Sequence, residues 1–313
     1  MKRNPATVLS AAETAQALPY PALAAQIEAL LHDPAVVVPP RMVQALPGGG
    51  SLFVMPASDA RVAITKLITF TPNNAQLGRP SIQGDVIVFD VSSGQRMAIL
   101  DGPTVTARRT AAVSLLAAQK LARRADGPLL VVGAGVQGRA HIEAFQIGLG
   151  VQEVWVASHS ASSAHALVKH AQSLGMRSQC VVDIDAAMAR CPLVVSATTA
   201  KQVAIHAAPR HDAFVGAVGA FTPQMVEWDA KICRQLAQSG MLVVDTRDAD
   251  HEAGDLLQAG IDVSILPTLA DVICNTAVWV NFAGRRNDGA VFFKSCGWAG
   301  WDLAAARCVT QGW

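Results

Sequence analysis

"LLVVGAGVQGRAHIEAF", residues Leu129 to Phe145, decides the fold. Four apolar residues form a short strand, and glycines at 133, 135 and 138 follow it directly, ahead of a run with helical apolar spacing. Each glycine has its own physical task. Gly133 allows the tight turn, Gly135 lets the backbone approach a pyrophosphate, and Gly138 lets helix and strand pack closely. With Val136 and Gln137 between them, they open a helix whose first amides and partial positive charge suit phosphate oxygens. Such a spacing alone is weak evidence; its position between a buried strand and a helix makes it a dinucleotide-binding candidate.

The surrounding rhythm extends this reading. Strand-like runs near 129–133, 152–157, 192–197, 213–217 and 241–245 alternate with helical patterns, the signature of a parallel, helix-covered sheet. Upstream the pattern differs. Ser10 with Glu13 makes a capping box for one short helix, and Pro21 can open a second. Then come "AVVVPPRMVQAL", "SLFVMPA", "RVAITKLITF", "DVIVFDV" and "RMAILDG", β-rich runs bounded by turn residues, which predict a mostly antiparallel sheet. Between the two regions, Thr104 to Arg124 is rich in Ala and Leu and lacks Gly and Pro, so it reads as one long joining helix.

The cofactor is addressed by "VWVASHS", Val154 to Ser160. A strand in this position usually ends near an Asp or Glu that accepts from the ribose hydroxyls and repels a 2′-phosphate. Ser158, His159 and Ser160 stand there instead, able to donate to phosphate oxygens without a charge penalty. The stretch favours NADPH and leaves NADH usable. As a purely structural element, Ser160 would cap the helix beginning near Ala161.

Composition narrows the partners. Of 313 residues, 51% are hydrophobic and 16% charged, enough apolar material for two domains. With 25 basic against 24 acidic residues and no long run of one sign, nothing resembles a nucleic-acid-binding face. No apolar stretch has the length of a bilayer span, so the chain reads as soluble and cytoplasmic, with no membrane partner. Six cysteines are scattered without a C-x-x-C pair, and the His165/His170 and His206/His211 pairs have neither zinc-site spacing nor an acidic companion; no metal is expected.

Three further stretches carry a family resemblance. "ITKLITFTPNN" (Ile64 to Asn74), "RRTAAVSLLAAQKLA" (Arg108 to Ala122) and "FFKSCGWAGWDLAAA" (Phe292 to Ala306), in this order around the glycine turn, resemble the ornithine cyclodeaminase and mu-crystallin family. The resemblance implies an α/β chain: a Rossmann dinucleotide-binding domain, 108–291, and an α+β substrate-binding and dimerisation domain, 1–107 with 292–313. It also implies a homodimer. Members hold a substrate carboxylate beside the nicotinamide with a cluster of cations, and the matching positions are Arg41, Lys66 and Arg109. Taken alone, each would be a solvated surface cation. Lys66 is the least ordinary, because it interrupts a strand among Ile64, Leu67 and Ile68.

The same resemblance places Thr198, in "SATTA", on the nicotinamide side. It suggests that Lys294, Ser295 and Gly297 close over the cofactor. Asp302 reads as a cap of the last helix. In cyclodeaminases an aspartate follows a Rossmann strand where this chain has Phe221, which can neither take a proton nor position water. The implied chemistry is therefore reduction of cyclic imino acids, Δ1-pyrroline-2-carboxylate to L-proline and Δ1-piperideine-2-carboxylate to L-pipecolate, with Lys66 as the candidate proton source. A cyclodeaminase or amino-acid dehydrogenase on the same scaffold, or a mu-crystallin-like NADPH-dependent binding protein, are the alternatives.

Overall fold

The computed structural model describes residues 7–199, 202–284 and 289–311, without the side chains of residues 75 and 76. The chain divides into two compact units, Met1–Arg109 with Trp298–Trp313, and Thr110–Gly297.

In the first unit β1 (Thr7–Val8) precedes α1 (Ala11–Ala17) and α2 (Tyr20–Leu31). The Ser10–Glu13 capping box forms as the sequence predicts, with the Ser10 amide 2.9 Å from the Glu13 carboxylate. Five strands follow: β2 (Met42–Leu46), β3 (Gly50–Ser58), β4 (Val62–Phe70), β5 (Ile82–Asp90) and β6 (Arg96–Asp101). The sheet order is β1-β6-β5-β4-β3-β2; the last five strands pair antiparallel in succession, and β1 lies parallel to β6. Period-2 patterning sets the faces. Along β4, Val62, Ile64, Lys66 and Ile68 are buried while Leu67 is 42% exposed, so Lys66 points to the covered face.

The long joining helix is α3 (Gly102–Leu121), in which the division between the units falls. The second unit is built on a seven-stranded sheet in which every pairing is parallel. Its strands are β7 (Leu129–Val132), β8 (Glu153–Ala157), β9 (Arg177–Cys180), β10 (Leu193–Ser196), β11 (Phe214–Ala217), β12 (Met241–Val244) and β13 (Val291–Lys294). Between them run α4 (Val136–Leu149), α5 (Ala161–Ser173), α6 (Ile184–Met188), α7 (Ala230–Ser239), α8 (Gly254–Gln258), α9 (Leu269–Ile273) and α10 (Ala277–Ala283). Apart from β9 and the first residue of β8 these strands are buried throughout, as their unbroken apolar runs require under helices on both faces. The order β12-β13-β11-β10-β7-β8-β9 reverses direction at β7, which puts the switch point between the carboxyl ends of β7 and β10.

The chain returns to the first unit with α11 (Ala299–Thr310), which packs on α2, β3 and β4 and covers the inner face of that sheet. The expected boundary at 292 falls inside β13. That strand pairs with both β11 and β12, so residues up to Gly297 stay with the second unit. Among the described residues no helix is long and apolar enough to cross a membrane, and no cluster of His, Cys, Asp and Glu could hold a metal ion.

Candidate cofactor turn and cation cluster

Gly133, Gly135 and Gly138 occupy the β7–α4 turn, and packing demands two of them. Gly133 has φ +114, and a Cβ there would lie 2.6 Å from the Ala197 carbonyl oxygen, at the end of β10. At Gly138 a Cβ would stand 2.2 Å from the Gly133 carbonyl oxygen. Gly135 is different. It is the N-cap of α4 with φ −90, and a Cβ there meets nothing within 4 Å, so it leaves open space at the helix N-terminus. An amide-rich turn, a helix N-terminus and an open glycine are what a dinucleotide pyrophosphate needs. Val136 and Gln137 begin the helix, and the Gln137 side-chain oxygen is buried with no partner.

His141 braces this turn from behind, a role no motif announced. It is fully buried, and burial lowers its pKa to about 4, so the ring is neutral. The Gln137 carbonyl, 2.7 Å from Nδ1, can only accept; Nδ1 therefore donates and Nε2 accepts from Ser114 Oγ at 2.9 Å.

Beyond β8, Ser158, His159 and Ser160 form the cap of α5. Ser158 Oγ accepts from the Ser160 amide at 3.3 Å, and Ser160 Oγ accepts from the Ser163 amide at 3.3 Å, while His159 is exposed. The structural role assigned to Ser160 is thus real, and the stretch remains free of negative charge.

Thr198 follows β10 at the switch point. Its amide donates to Glu227 Oε1 at 2.7 Å; Glu227 Oε2 accepts from the Gly219 amide at 2.8 Å and from Ser196 Oγ at 3.0 Å. One buried carboxyl thereby ties the loops after β10 and β11 together, and burial raises its pKa. Gly297, with φ +93, donates its amide to Asp245 Oδ2 at 2.8 Å, beside Ser295 Oγ at 2.8 Å. Lys294 does not behave as a closing group. It is fully buried with its Nζ 2.8 Å from Asp255 Oδ2; burial works against its charge, and Asp255 together with Cys296 and Glu227 outweighs that and raises its pKa. Phe221 is partly buried and packed on the apolar core of the second unit.

The first unit brings two of the three cations onto one carboxylate and adds the charge of the third. Lys66, 1% exposed, places Nζ 3.1 and 3.3 Å from the two oxygens of Asp302, and Arg109 Nε lies 3.3 Å from Asp302 Oδ1. Arg41, just before β2, lies over the Phe53 ring at 5.7 Å and adds its charge to the surroundings of Lys66. Arg108, next to Arg109 in sequence, donates from Nε to the Leu18 carbonyl and lies over the Tyr20 ring. Burial, opposed by Asp302 and assisted by Arg109 and Arg41, lowers the Lys66 pKa to about 8. Asp302, expected to cap α11, instead lies fully buried in its first turn, pointing at the cations. Arg109 commits only Nε to Asp302 among the described bonds. Its terminal nitrogens can form the two-pronged contact that suits a ligand carboxylate.

The sequence profile of the ornithine cyclodeaminase/mu-crystallin family matches residues 6–313. The chain is 38% identical over 307 residues to the Δ1-pyrroline-2-carboxylate/Δ1-piperideine-2-carboxylate reductase of Azospirillum brasilense, covering 97% of this chain and 95% of that one. Its fold is similar to that of Thermococcus litoralis Δ1-pyrroline-2-carboxylate reductase in complex with NADH and L-proline, with a TM-score of 0.81, 22% identity, and 97% and 93% of the two chains covered. An archaeal alanine dehydrogenase dimer with bound NAD superposes with a TM-score of 0.82 at 22% identity, over 98% and 95% of the chains. The chain belongs to the ornithine cyclodeaminase/mu-crystallin family.

Proposed function

We propose that this protein is an NAD(P)H-dependent reductase of cyclic ketimines, converting Δ1-pyrroline-2-carboxylate to L-proline and Δ1-piperideine-2-carboxylate to L-pipecolate. The observation that carries the reading is the buried pair Lys66 and Arg109 on Asp302, with the Arg41 charge acting on Lys66, an anion site with a titratable donor in it. The 38% identity to a reductase of these two imino acids over nearly the full chain supports the substrate class. The Gly133–Gly138 turn, with Val136 and Gln137, holds the pyrophosphate, Ser158 to Ser160 meet the adenosine ribose, and Thr198 and Gly297 line the nicotinamide side. A bound nicotinamide cofactor supplies hydride to the imine carbon. Arg109 and Arg41 fix the substrate carboxylate, which orients that carbon. Lys66 gives one proton to the imine nitrogen, so C=N becomes CH–NH; the amine left on Lys66 is recharged from solvent.

The first test is an assay of NADPH and NADH oxidation against cyclic imino acids, against keto acids with ammonia or methylamine, and of ammonia release from L-ornithine. Cyclic imino acids give the highest kcat/KM, and ornithine releases no ammonia because Phe221 offers no carboxylate. Ammonia from ornithine at a rate comparable to imine reduction rules the reading out in favour of a cyclodeaminase. NADPH is preferred over NADH by a moderate factor, on the order of tenfold for about 1.4 kcal/mol. Equal use of NADH removes the role given to Ser158, His159 and Ser160.

The working form is a homodimer. The outer face of the first sheet, opposite the one that α11 covers, carries Met42, 51% exposed, and Leu67, 42% exposed, beside Leu52, Val54 and Ile87. The similarity to an alanine dehydrogenase described as a dimer supports a second copy as its cover. Sedimentation velocity gives twice the 32.8 kDa chain mass, and Leu67→Glu shifts it to monomer. A wild-type monomer at micromolar concentration rules the assembly out.

A further inference from the structure

We propose that Asp302 is the positioning residue of the cation cluster: one buried carboxylate orients Lys66 and Arg109 together and keeps Lys66 in its ammonium form. This rests on the reading of Lys66 as proton donor. The geometry is specific. Asp302 is fully buried on the first turn of α11, both its oxygens reach Lys66 Nζ, and Oδ1 also accepts from Arg109 Nε. Asp302 engages Nε, and the terminal nitrogens of Arg109 have the fork geometry that suits a ligand carboxylate. An isolated buried ammonium flanked by two guanidinium groups would lose its proton, since both desolvation and like charges disfavour the charged form.

The groups facing Lys66 come from every surrounding element. Arg109 from α3 and Arg41 before β2 push its proton off, and Asp302 from α11 is the only one of the three that holds it on. The balance leaves Lys66 titrating at about 8, protonated at neutral pH yet close enough to its midpoint to release the proton readily. Removing the Asp302 charge while keeping its shape therefore shifts the Lys66 midpoint down by roughly one to three pH units.

Two measurements on Asp302→Asn test this. The first follows the 13Cε resonance of Lys66 through a pH titration, identified by its absence in Lys66→Arg, and needs neither cofactor nor substrate. The second is the pH profile of kcat for imine reduction. Both midpoints move down together if Asp302 sets the charge of Lys66 and Lys66 supplies the proton. A shifted resonance with an unchanged rate profile supports the role of Asp302 and removes Lys66 as proton donor. An unshifted Lys66 resonance overturns the proposal. Asp302→Glu keeps the charge and carries the test if the Asn chain does not fold: its Lys66 midpoint stays near the wild-type value while kcat falls, and a midpoint displaced by a full unit overturns the proposal equally.

Discussion

Lys66→Met lowers kcat for cyclic imino acids by roughly a hundredfold to ten-thousandfold, the range that a positioned proton donor contributes. The side chain keeps its length and packing, so the loss reports the ammonium and not a cavity. Asp302 retains Arg109 as a partner at 3.3 Å, so the variant does not leave a wholly unpaired buried carboxylate and folds. NAD(P)H affinity stays the same, because the glycine turn proposed to hold the phosphates belongs to the other unit. The wild-type rate is flat at neutral pH and falls as pH rises through about 8, where Lys66 loses its proton; the Met variant lacks that limb. The check pairs steady-state kinetics across pH with fluorescence titration of the cofactor. A loss confined to KM would mean that Lys66 only grips the carboxylate, and proton supply would pass to solvent.

The candidate groups of the two units differ in how far they could be read from sequence, and the difference is one of range. The β7–α4 turn was legible because the positive φ of Gly133 and the approach of Gly138 to the Gly133 carbonyl are local demands, although Gly133 also meets the distant Ala197. Lys66 stood out because a charge interrupts an alternating strand, and its place on the covered face follows from the period of two. Asp302 was not legible. Its partners lie 236 and 193 residues away, and its own surroundings, an alanine-rich helix, make an aspartate in the first turn look like ordinary helix-dipole pairing. Glu227 and Asp245 were equally silent, since nothing in "VEWD" or "VVDT" says that the carboxylate will collect amides from distant loop ends. The edge strand β9 escaped because "RSQC" is short, polar and only half buried.

Lys294 failed for a related reason. Its motif places it next to Gly297, but local sequence does not show that it sits inside the sheet, where a lysine is tolerable only with a buried partner such as Asp255. Local motifs locate backbone devices; buried charge pairs are properties of the folded topology.

That distinction gives the second large effect, on the glycine turn itself. Gly138→Ala puts a Cβ 2.2 Å from the Gly133 carbonyl oxygen and 3.1 Å from Val131 Cγ1, and the first of these is backbone that cannot rotate away. Either α4 withdraws from β7 or the turn reshapes, so NAD(P)H binding weakens by at least roughly a hundredfold, about 2.7 kcal/mol, and the chain loses thermal stability. Gly135→Ala separates binding from folding. Its φ of −90 suits any residue and its Cβ meets no protein atom, so Tm stays within about 2 °C of wild type. If the open space belongs to the pyrophosphate, the same methyl group still costs cofactor affinity, on the order of tenfold to a hundredfold. Calorimetry and cofactor titration of the two variants decide the matter. Gly138→Ala failing in both and Gly135→Ala failing in binding alone identifies Gly135 as the point of backbone approach; unchanged binding in Gly135→Ala would move the phosphates away from this turn.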